Sequence, residues 1–427
     1  MMADTHLDEN GLVLAADGTP LKQSLARALR AQKLRALLLI APLLLFVTIS
    51  FVLPIGEMLM RSVQNTAGTE YVPDLLPNVV EELEEWEPAS GEMPPEPVYR
   101  ALAQDLATAF ENRNHTQLGR RFNYESAGMS SIFRKSGRRV SNWDIETDGP
   151  FREKFLDIDD DWGNVEYWAT IKANSGYYTT SYFLAAFDAQ RTSEGIQMKE
   201  PDQRIYSKLM IRTLWLSFLI TFCTFALGYP VAWLLADLPA KSANLLLILV
   251  LLPFWTSLLV RTSAWKILLQ QQGVINDFWI ALGFTERMSL INNQLGVVIA
   301  MTHILLPFMI LPLYSVMKTI PPSYLRAAKS LGATNTVAFL RVYFPQTTPG
   351  IGAGSLLVFI LAVGYFITPE LVGGADGTFI SNRIYYQFSS SGNWGLAAAL
   401  GTIMLVVVLL LYYIYDKLVG VDNVKLG

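Results

Sequence analysis

Ionisable and aromatic side chains interrupt the long apolar runs of this sequence at a few positions. Glu370 follows Pro369 and precedes the glycine pair at 373–374, and His303 stands inside another apolar run. Ionisable groups in such runs are costly and usually serve a function, and aromatic rings can hold an ammonium group by cation–π contact. The pattern favours a polar path for a small solute, with the candidate residues Glu370, Trp255, Tyr365, Phe366 and His303.

A simpler interpretation competes at each of these positions. Buried histidines are often packed and hydrogen-bonded core residues, and aromatic side chains gather at membrane–water interfaces. Three further ionisable residues lie at the ends of apolar runs, where interfacial anchoring explains them: Glu57, Asp237 and Arg261.

A second group of residues forms a polar, basic segment between two apolar runs, which we call the basic hairpin (residues 318–348). Pro321 and Pro322 can start a first short helix, and Ser323 can cap it by accepting from backbone N–H groups. Gly332 stands where a helix end favours a left-handed residue, and Thr334 or Asn335 can cap a second helix that Pro345 ends. The spacing predicts two short helices joined at a glycine, although an amphipathic segment lying on the membrane surface is an alternative.

Several chemistries find no support in the sequence. Cys223 is the single cysteine and cannot form an internal disulfide, and the three histidines lack the spacing of a metal site. No GxxxxGK[ST] phosphate-binding loop is present. We therefore expect no catalytic residue, no metal and no cofactor bound by this chain.

The elements that must position these residues are long apolar helices. Of the 427 residues, 52% are hydrophobic and 16% are charged, fewer charges than the roughly 25% of soluble domains. A span needs about 20 apolar residues. Six runs qualify: 34–60, 209–236, 243–264, 295–317, 351–368 and 394–415. The fold class is therefore an all-α polytopic membrane protein with six transmembrane helices.

Positive charges in short flanks indicate orientation. Basic residues precede the first run and fill the basic hairpin, which contains no acid: Lys318, Arg326, Lys329 and Arg341. Six alternating spans then place both termini and the basic hairpin in the cytoplasm. The predicted boundaries are a cytoplasmic segment 1–33, a first span 34–61, an external insert 62–208, a five-helix core 209–418 and a cytoplasmic tail 419–427.

The segment 62–208, called the insert below, carries 25 acidic and 15 basic side chains. Residues 81–97 are acidic and proline-rich and favour an extended or mobile stretch, and residues 100–112 favour a helix. Residues 164–187 mix aromatics and threonine around Asn-Ser-Gly, which favours strand and short helix. The insert is therefore expected to be α+β, and its net charge is typical of a solvated surface.

The basic hairpin resembles the EAA motif of ABC-importer permeases, in which Glu-Ala-Ala is followed by a glycine and later by Ile-x-Leu-Pro. Ala327, Ala328, Gly332 and Pro345 match at the same spacing. Arg326 departs from the pattern, since the family usually has glutamate there. Stretches such as LWLSFLITFCTFALGYPVAWLLA and HILLPFMILPLYSVMKTIPPSYLRAAKSLGA are similar to the spermidine/putrescine branch of these inner-membrane components of binding-protein-dependent transport systems. The insert has no counterpart in the standard permease.

The resemblance implies a division of labour. The chain would be the permease subunit of an importer of type I fold in a bacterial inner membrane, forming half of the path for a polyamine such as putrescine or spermidine. Its partners would be a second permease, which we expect to be a paralogue, two ATP-binding subunits that use ATP-Mg, and a periplasmic binding protein. The resemblance assigns contact with the ATPase to a set of hairpin residues: Arg326, Ala327, Ala328, Leu331, Gly332, Phe339 and Pro345.

Other functions remain open at this point. The same scaffold resembles permeases for opines, thiamine, ferric ion or phosphonates. An ion-coupled secondary transporter would need an internal repeat, which the two halves do not display, and a membrane-anchored sensor would not need six spans.

Overall fold

A computed structural model of the protein describes residues 21–192 and 195–419, which divide into two compact units at residues 60 and 61. Residues 1–20 of the predicted amino-terminal segment and residues 420–427 of the predicted tail lie outside the described residues. The described chain is mostly helical, as the sequence predicts.

The described part of the first unit is one long helix. Helix α1 (Leu21–Val47) continues through a π-helical turn (Thr48–Val52) into α2 (Leu53–Arg61). The stretch Gln32–Arg61 is long and apolar enough to cross a membrane, and none of its apolar window is buried inside the protein. The predicted first span is therefore present as a helix.

In its described residues the insert is a mostly helical domain with a short β-hairpin near each end. Its elements are β1 (Thr66–Ala67), β2 (Glu70–Tyr71), α3 (Val72–Leu75), α4 (Pro77–Glu82), α5 (Glu96–Glu111), α6 (His115–Asn123), α7 (Met129–Val140), α8 (Phe151–Ile158), α9 (Val165–Ala173), α10 (Ser181–Ala186), β3 (Ala189–Thr192) and β4 (Gly195–Met198). β1 pairs with β2 and β3 with β4, both antiparallel. The helix expected over residues 100–112 is confirmed by α5.

Of the strand and short helix predicted within residues 164–187, the helix is confirmed by α9 and α10, but no strand forms: Tyr178, between the two helices, makes only an isolated antiparallel bridge with Gln64. Asn164 accepts a hydrogen bond from the Glu166 amide at 2.9 Å and caps α9. Tyr167, Trp168 and Ile171 are then buried at helical spacing. Aromatic residues suit strands and amphipathic helices alike, so composition misled the prediction.

Aromatic rings build the core of the insert. The Trp162 ring lies 5.2 Å from that of Trp168 and 5.3 Å from that of Phe155. Each polar atom of this cluster has a partner: Tyr99 Oη and Trp168 Nε1 donate to the Trp162 carbonyl, and Trp162 Nε1 donates to Ser136 Oγ. Buried aromatic groups with paired polar ends give a rigid core.

The acidic stretch 81–97 folds back on the insert and is not extended. Trp86 is 7% exposed and donates Nε1 to the Glu92 carbonyl at 3.1 Å. A 3₁₀ turn follows at Pro88–Ser90, and Lys172 Nζ donates to the carbonyls of Glu84 and Trp86. One buried tryptophan and one lysine thus hold a segment whose composition suggested mobility.

A buried arginine joins the parts of the insert. Arg121 is 2% exposed, and its guanidinium donates to Asn65 Oδ1 at 2.9 Å, to Asn174 Oδ1 at 3.1 Å and to Glu125 Oε1 at 2.8 Å. It also lies 4.7 Å from the centre of the Tyr182 ring. Three separate segments therefore converge on one charge, which satisfies the rule that buried charges are paired.

The remaining helices form the apolar core: α11 (Tyr206–Asp237), α12 (Ala240–Leu251), α13 (Leu258–Leu268), α14 (Val274–Ala281), α15 (Gln294–Thr319), α16 (Pro322–Ser330), α17 (Asn335–Ala338), α18 (Phe344–Gln346), α19 (Thr348–Val363), α20 (Ile367–Val372), α21 (Ile380–Tyr386) and α22 (Trp394–Val419). A Cβ added at Gly228 or at Gly354 would sit about 3 Å from Met309 of α15. The glycines thus let α11, α15 and α19 approach closely, as membrane helices do.

The described chain has four helices that could each cross a membrane, Gln32–Arg61, Tyr206–Asp237, Gln294–Thr319 and Trp394–Lys417. Two bent pairs raise the count to six if each is one span. α12 with its 3₁₀ extension meets α13 at 94°, and residues 335–346 meet α19 at 60°. The fifth predicted run is broken earlier than expected, because α19 ends at Val363 and α20 begins at Ile367.

The insert rests on the core at the start of α22. Tyr124 Oη donates to the Ser391 carbonyl at 3.0 Å, and the Tyr182 ring lies directly against Gly395, where an added Cβ would sit 2.3 Å from it. The Arg121 cluster therefore adjoins the seam between insert and core.

Candidate functional site

The basic hairpin has the two-helix form that the sequence predicts. α16 begins after Pro321, whose ψ of 132° is extended, and ends before Gly332, whose φ is +88°. The left-handed conformation favours glycine here. Space does not, because an added Cβ at residue 332 would meet nothing within 4 Å. Thr334 Oγ1 accepts from the Val337 amide at 3.4 Å and caps the second helix.

The predicted cap at Ser323 is wrong. Pro321 is the N-cap residue and makes no side-chain cap, so Ser323 already lies within α16. The two prolines decide this, because Pro322 is well placed in a first helical turn and moves the start of the helix two residues earlier.

Aromatic residues fasten the second half of the basic hairpin to α11. The Phe339 ring lies 6.2 Å from that of Tyr229 and 5.8 Å from that of Trp233. Tyr229 Oη and Thr347 Oγ1 are hydrogen-bonded at 3.2 Å. Lys318 Nζ donates to the carbonyls of Ala236 and Leu238 at the end of α11. Phe339, expected to face a partner, thus packs within its own chain.

An apolar surface remains open on the other side of the hairpin. Leu331 is 89% exposed, and Leu340, Tyr324 and Val337 are 55%, 50% and 40% exposed. Of the seven residues assigned to partner contact, five are exposed, namely Arg326, Ala327, Leu331, Gly332 and Pro345, while Ala328 and Phe339 are half-buried. Sequence reasoning missed Leu340, Tyr324 and Val337, although the seven-residue step from Tyr324 to Leu331 is a helical signal.

The solute-path candidates fall into two groups. Glu370, Phe366 and Tyr365 meet around α21, where Asn382 Nδ2 donates to Glu370 Oε2 at 2.7 Å and to the Phe366 carbonyl at 3.0 Å. Ser381 Oγ donates to the Tyr365 carbonyl at 2.5 Å. Glu370 is exposed, so its carboxylate remains accessible to a solute, and the Asn382 amide orients it.

The second group surrounds His303. Trp265 Nε1 donates to His303 Nδ1 at 3.1 Å, and the two rings lie 5.3 Å apart. Arg261 lies one turn before Trp265 on α13, and its Nε is buried without a hydrogen-bond partner in the described chain. The two groups are joined where Thr262 Oγ1 and Thr368 Oγ1 are hydrogen-bonded at 3.1 Å.

The structure shows surroundings for two residues that the sequence did not indicate. Trp255 ends a 3₁₀ turn at the sharp bend between α12 and α13 and is 76% exposed. Asn382, which sequence reasoning missed, contacts both Glu370 and Phe366. No pattern in the sequence indicates that the Asn382 side chain lies beside Glu370.

The groups do not form a metal site. Among residues 21–192 and 195–419, no three His, Cys, Asp or Glu side chains lie together in a way that could hold a metal ion.

Known proteins with similar sequences share the core of the chain. Residues 210–420 match the family described as the binding-protein-dependent transport system inner membrane component. The spermidine/putrescine transport system permease protein PotB of Salmonella typhimurium (strain SL1344) is 38% identical over 224 residues, which cover 52% of this chain and 78% of that protein. The inner membrane ABC transporter permease protein YdcU of Escherichia coli K12 is 32% identical over 274 residues, 61% of this chain and 86% of that one.

A solved structure is also similar in part. The crystal structure of a bacterial ABC transporter that imports the acidic polysaccharide alginate matches with a TM-score of 0.43 and 18% identity, over 52% of this chain and 80% of that one. Because this TM-score is low, the family assignment rests on the sequence relatives. On their evidence the chain belongs to the binding-protein-dependent transport system inner membrane components, and it is a multi-pass membrane protein of the ABC-importer permease class.

Proposed function

We propose that this chain is the permease subunit of an ATP-driven importer and forms half of the path for a polyamine, putrescine or spermidine. The observation that carries the substrate is the 38% identity, over 224 residues, to a permease named for spermidine and putrescine. The family match spans both the basic hairpin and the Glu370 group.

Energy comes from a separate pair of ATP-binding subunits in this proposal. The sequence lacks a phosphate-binding loop, so ATP-Mg is used by the partner and this chain binds no cofactor. The exposed apolar surface around Leu331 supports docking of the basic hairpin, since an apolar patch with a polar rim is typical of a protein interface. The hairpin then lies in the cytoplasm, together with both termini.

Two further partners complete the transporter. A second permease, paralogous to this chain, supplies the other half of the path, and a periplasmic binding protein delivers the solute to the side that carries the insert. This arrangement follows the positive-inside pattern, in which basic residues stay in the cytoplasm.

The Glu370 group is the best candidate for contact with the cationic solute. A carboxylate can pair with an ammonium group, and the Phe366 and Tyr385 rings, 4.5 Å apart, offer faces for cation–π contact. The His303 group is less suited to a cation because Arg261 lies beside it. Trp255 and Tyr365 complete the proposed lining.

The test is uptake of labelled putrescine and spermidine in a strain that lacks this chain and other polyamine importers. We expect uptake to disappear and to return when the chain is supplied from a plasmid. Unlabelled polyamines should compete, and opines, thiamine, ferric ion, phosphonates and sulfate should not. Normal polyamine uptake without the chain would overturn the substrate, and competition by one of the other solutes would identify a replacement.

Arg326 leads to a prediction about the ATPase surface. A guanidinium cannot accept hydrogen bonds, so a partner that fits it must offer acceptors where relatives of this family meet a glutamate. We expect Arg326→Glu to weaken co-purification of the ATPase about tenfold, because a favourable charge contact becomes a repulsive one.

Lys329→Glu is the matched control for this change. Lys329 is an exposed cation on the same helix, one turn further on, and its reversal alters the net charge equally. Equal weakening by both variants would indicate general electrostatics, and unchanged co-purification and transport in Arg326→Glu would contradict charge complementarity at this position.

A further inference from the structure

The insert and the core share one apolar cluster at their junction. Tyr182 and Ala186 of α10, which belong to the insert, are buried in the same cluster as Ile380 of α21 and Leu396 and Leu400 of α22. Protein interiors are close-packed and transmit displacements from one side chain to the next. A shift of α10 would therefore be passed on to α21.

The Tyr182 ring meets the core at Gly395, the second residue of α22. A Cβ added at residue 395 would sit 2.3 Å from two ring carbons, whereas an ordinary carbon contact is about 3.5 to 4.0 Å. The ring cannot easily swing aside, because it is 4% exposed and the Arg121 guanidinium lies 4.7 Å from its centre. Space therefore requires glycine at residue 395.

Hydrogen bonds hold the far end of the helix that begins with α21. This helix continues through a π-helical turn that begins at Gln387 and ends at Ser391. Tyr124 Oη of the insert donates to the Ser391 carbonyl at 3.0 Å, and Gln387 Nε2 donates to Tyr206 Oη at 2.7 Å. The Tyr206 amide in turn donates to the carboxylate of Asp188, an insert residue, at 3.1 Å. The insert thus fixes this end of the helix directly and through Tyr206.

The other end of the same helix orients Glu370. Asn382 is 5% exposed, and its Nδ2 donates to Glu370 Oε2 at 2.7 Å and to the Phe366 carbonyl at 3.0 Å. Its Oδ1 accepts from the Phe379 amide at 3.0 Å. Both amide hydrogens and the amide oxygen are therefore in use, so the Asn382 side chain has no freedom to follow Glu370 if α21 moves.

We propose that the insert is a positioning element of the solute path, in which Tyr182 and Tyr124 set the place of α21 and, through Asn382, that of the Glu370 carboxylate. A binding group is effective when the residues around it are locked by packing and hydrogen bonds. The part that Glu370 plays in this inference rests on the proposed function, whereas the dependence of α21 on the insert does not.

Gly395→Ala is a wedge that tests the physical link. In the full chain with Cys223→Ala, spin labels at Ser263→Cys and Ser389→Cys, both at exposed positions, report the distance from α13 to the end of the α21 helix. We expect this distance in nanodiscs to shift by about 1 to 2 Å, because the added Cβ would have 2.3 Å where an ordinary contact takes about 3.5 to 4.0 Å.

Two controls separate the wedge from the substitution itself. Gly176→Ala makes the same change in the insert, where an added Cβ would have an ordinary contact of 3.6 Å, and should leave the distance unchanged. Adding Tyr182→Val to Gly395→Ala removes the ring atoms and should restore the parent distance. Alanine is the better helix former, so a shift in Gly395→Ala does not come from a weaker helix. An unchanged distance in Gly395→Ala, or no restoration by Tyr182→Val, would overturn the proposal.

Uptake of labelled putrescine per chain in the membrane tests whether the link acts through Glu370. We expect Gly395→Ala to lower uptake about tenfold, and by less than about twofold where Glu370→Gln is already present, since coupled residues are not additive. Tyr124→Phe, which removes one hydroxyl, is the milder variant and should lower uptake about threefold with the same dependence on Glu370.

The outcomes of this cycle are distinct. Undiminished uptake in Gly395→Ala, or equal losses with and without Glu370→Gln, would overturn the proposal, because a general structural defect acts in both backgrounds. Parent-like uptake by Glu370→Gln alone would refute the proposed solute role of Glu370, and the spin-label distance would then decide the positioning of α21 by itself.

Discussion

Replacing Leu331 by aspartate is expected to abolish solute uptake while the chain stays folded in the membrane. Leu331 is 89% exposed, the largest value for a bulky apolar side chain in the described chain. The Leu331 side chain therefore contributes almost nothing to the folding stability of this chain, and a partner protein would have to bury it. Burial of a leucine side chain is worth about 1.5 to 3 kcal/mol, and a carboxylate in its place would be desolvated without a partner.

The expected loss in ATPase affinity is about a hundredfold or more, since each 1.4 kcal/mol is tenfold. Co-purification of the ATP-binding subunits and solute uptake measure it, and membrane level and thermal unfolding verify that the chain is intact. Leu331→Met keeps the apolar contact and should behave as the parent does. Normal uptake by Leu331→Asp would show that the open surface of the basic hairpin does not dock.

Replacing Arg121 by methionine should destabilise the insert by about 3 to 5 kcal/mol, the usual cost of breaking a buried ion pair from one side. Glu125 would lose its cation, and Asn65 and Asn174 would keep side-chain oxygens without their guanidinium donor. Both asparagines are buried, at 0% and 4% exposure, so water cannot easily replace the lost bonds.

The protease resistance of the insert in the full chain measures this effect. We expect cleavage within residues 62–208 to accelerate in Arg121→Met at a temperature where the parent resists. Arg120→Met is the control, because Arg120 is exposed and adjacent in sequence. Equal resistance of the two variants would contradict the structural role of Arg121. A smaller loss in Arg121→Lys would measure what the planar guanidinium adds to the charge.

Physical constraints that act over short distances along the chain made much of the structure predictable. The apolar runs predicted where the long helices lie, because a bilayer demands about 20 apolar residues wherever a helix crosses it. The turn at Gly332 and the cap at Thr334 were equally predictable, since both depend on backbone conformation within a few residues. The EAA-like spacing also indicated the protein family, and the sequence relatives confirm that family.

Contacts between distant segments decided what the sequence left open. Phe339 and Leu331 are both apolar residues of one short hairpin, but the first packs against the rings of Tyr229 and Trp233, and nothing in residues 21–192 and 195–419 covers the second. Asn382 reaches Glu370 only because α21 packs beside α20. The aromatic stretch Val165–Ala173 became helix α9 because Tyr167, Trp168 and Ile171 are buried in a common core.

The sequence by itself thus determined a polytopic helical membrane protein of the ABC-importer permease class with a capped basic hairpin. Only the tertiary structure decided which face of that hairpin is open, which amide orients Glu370, and that the insert is helical, with an aromatic core and a buried Arg121 that joins its segments. The physical reason is that bilayer length and capping are local demands on the chain, whereas burial and hydrogen-bond pairing depend on partners that folding brings from far away.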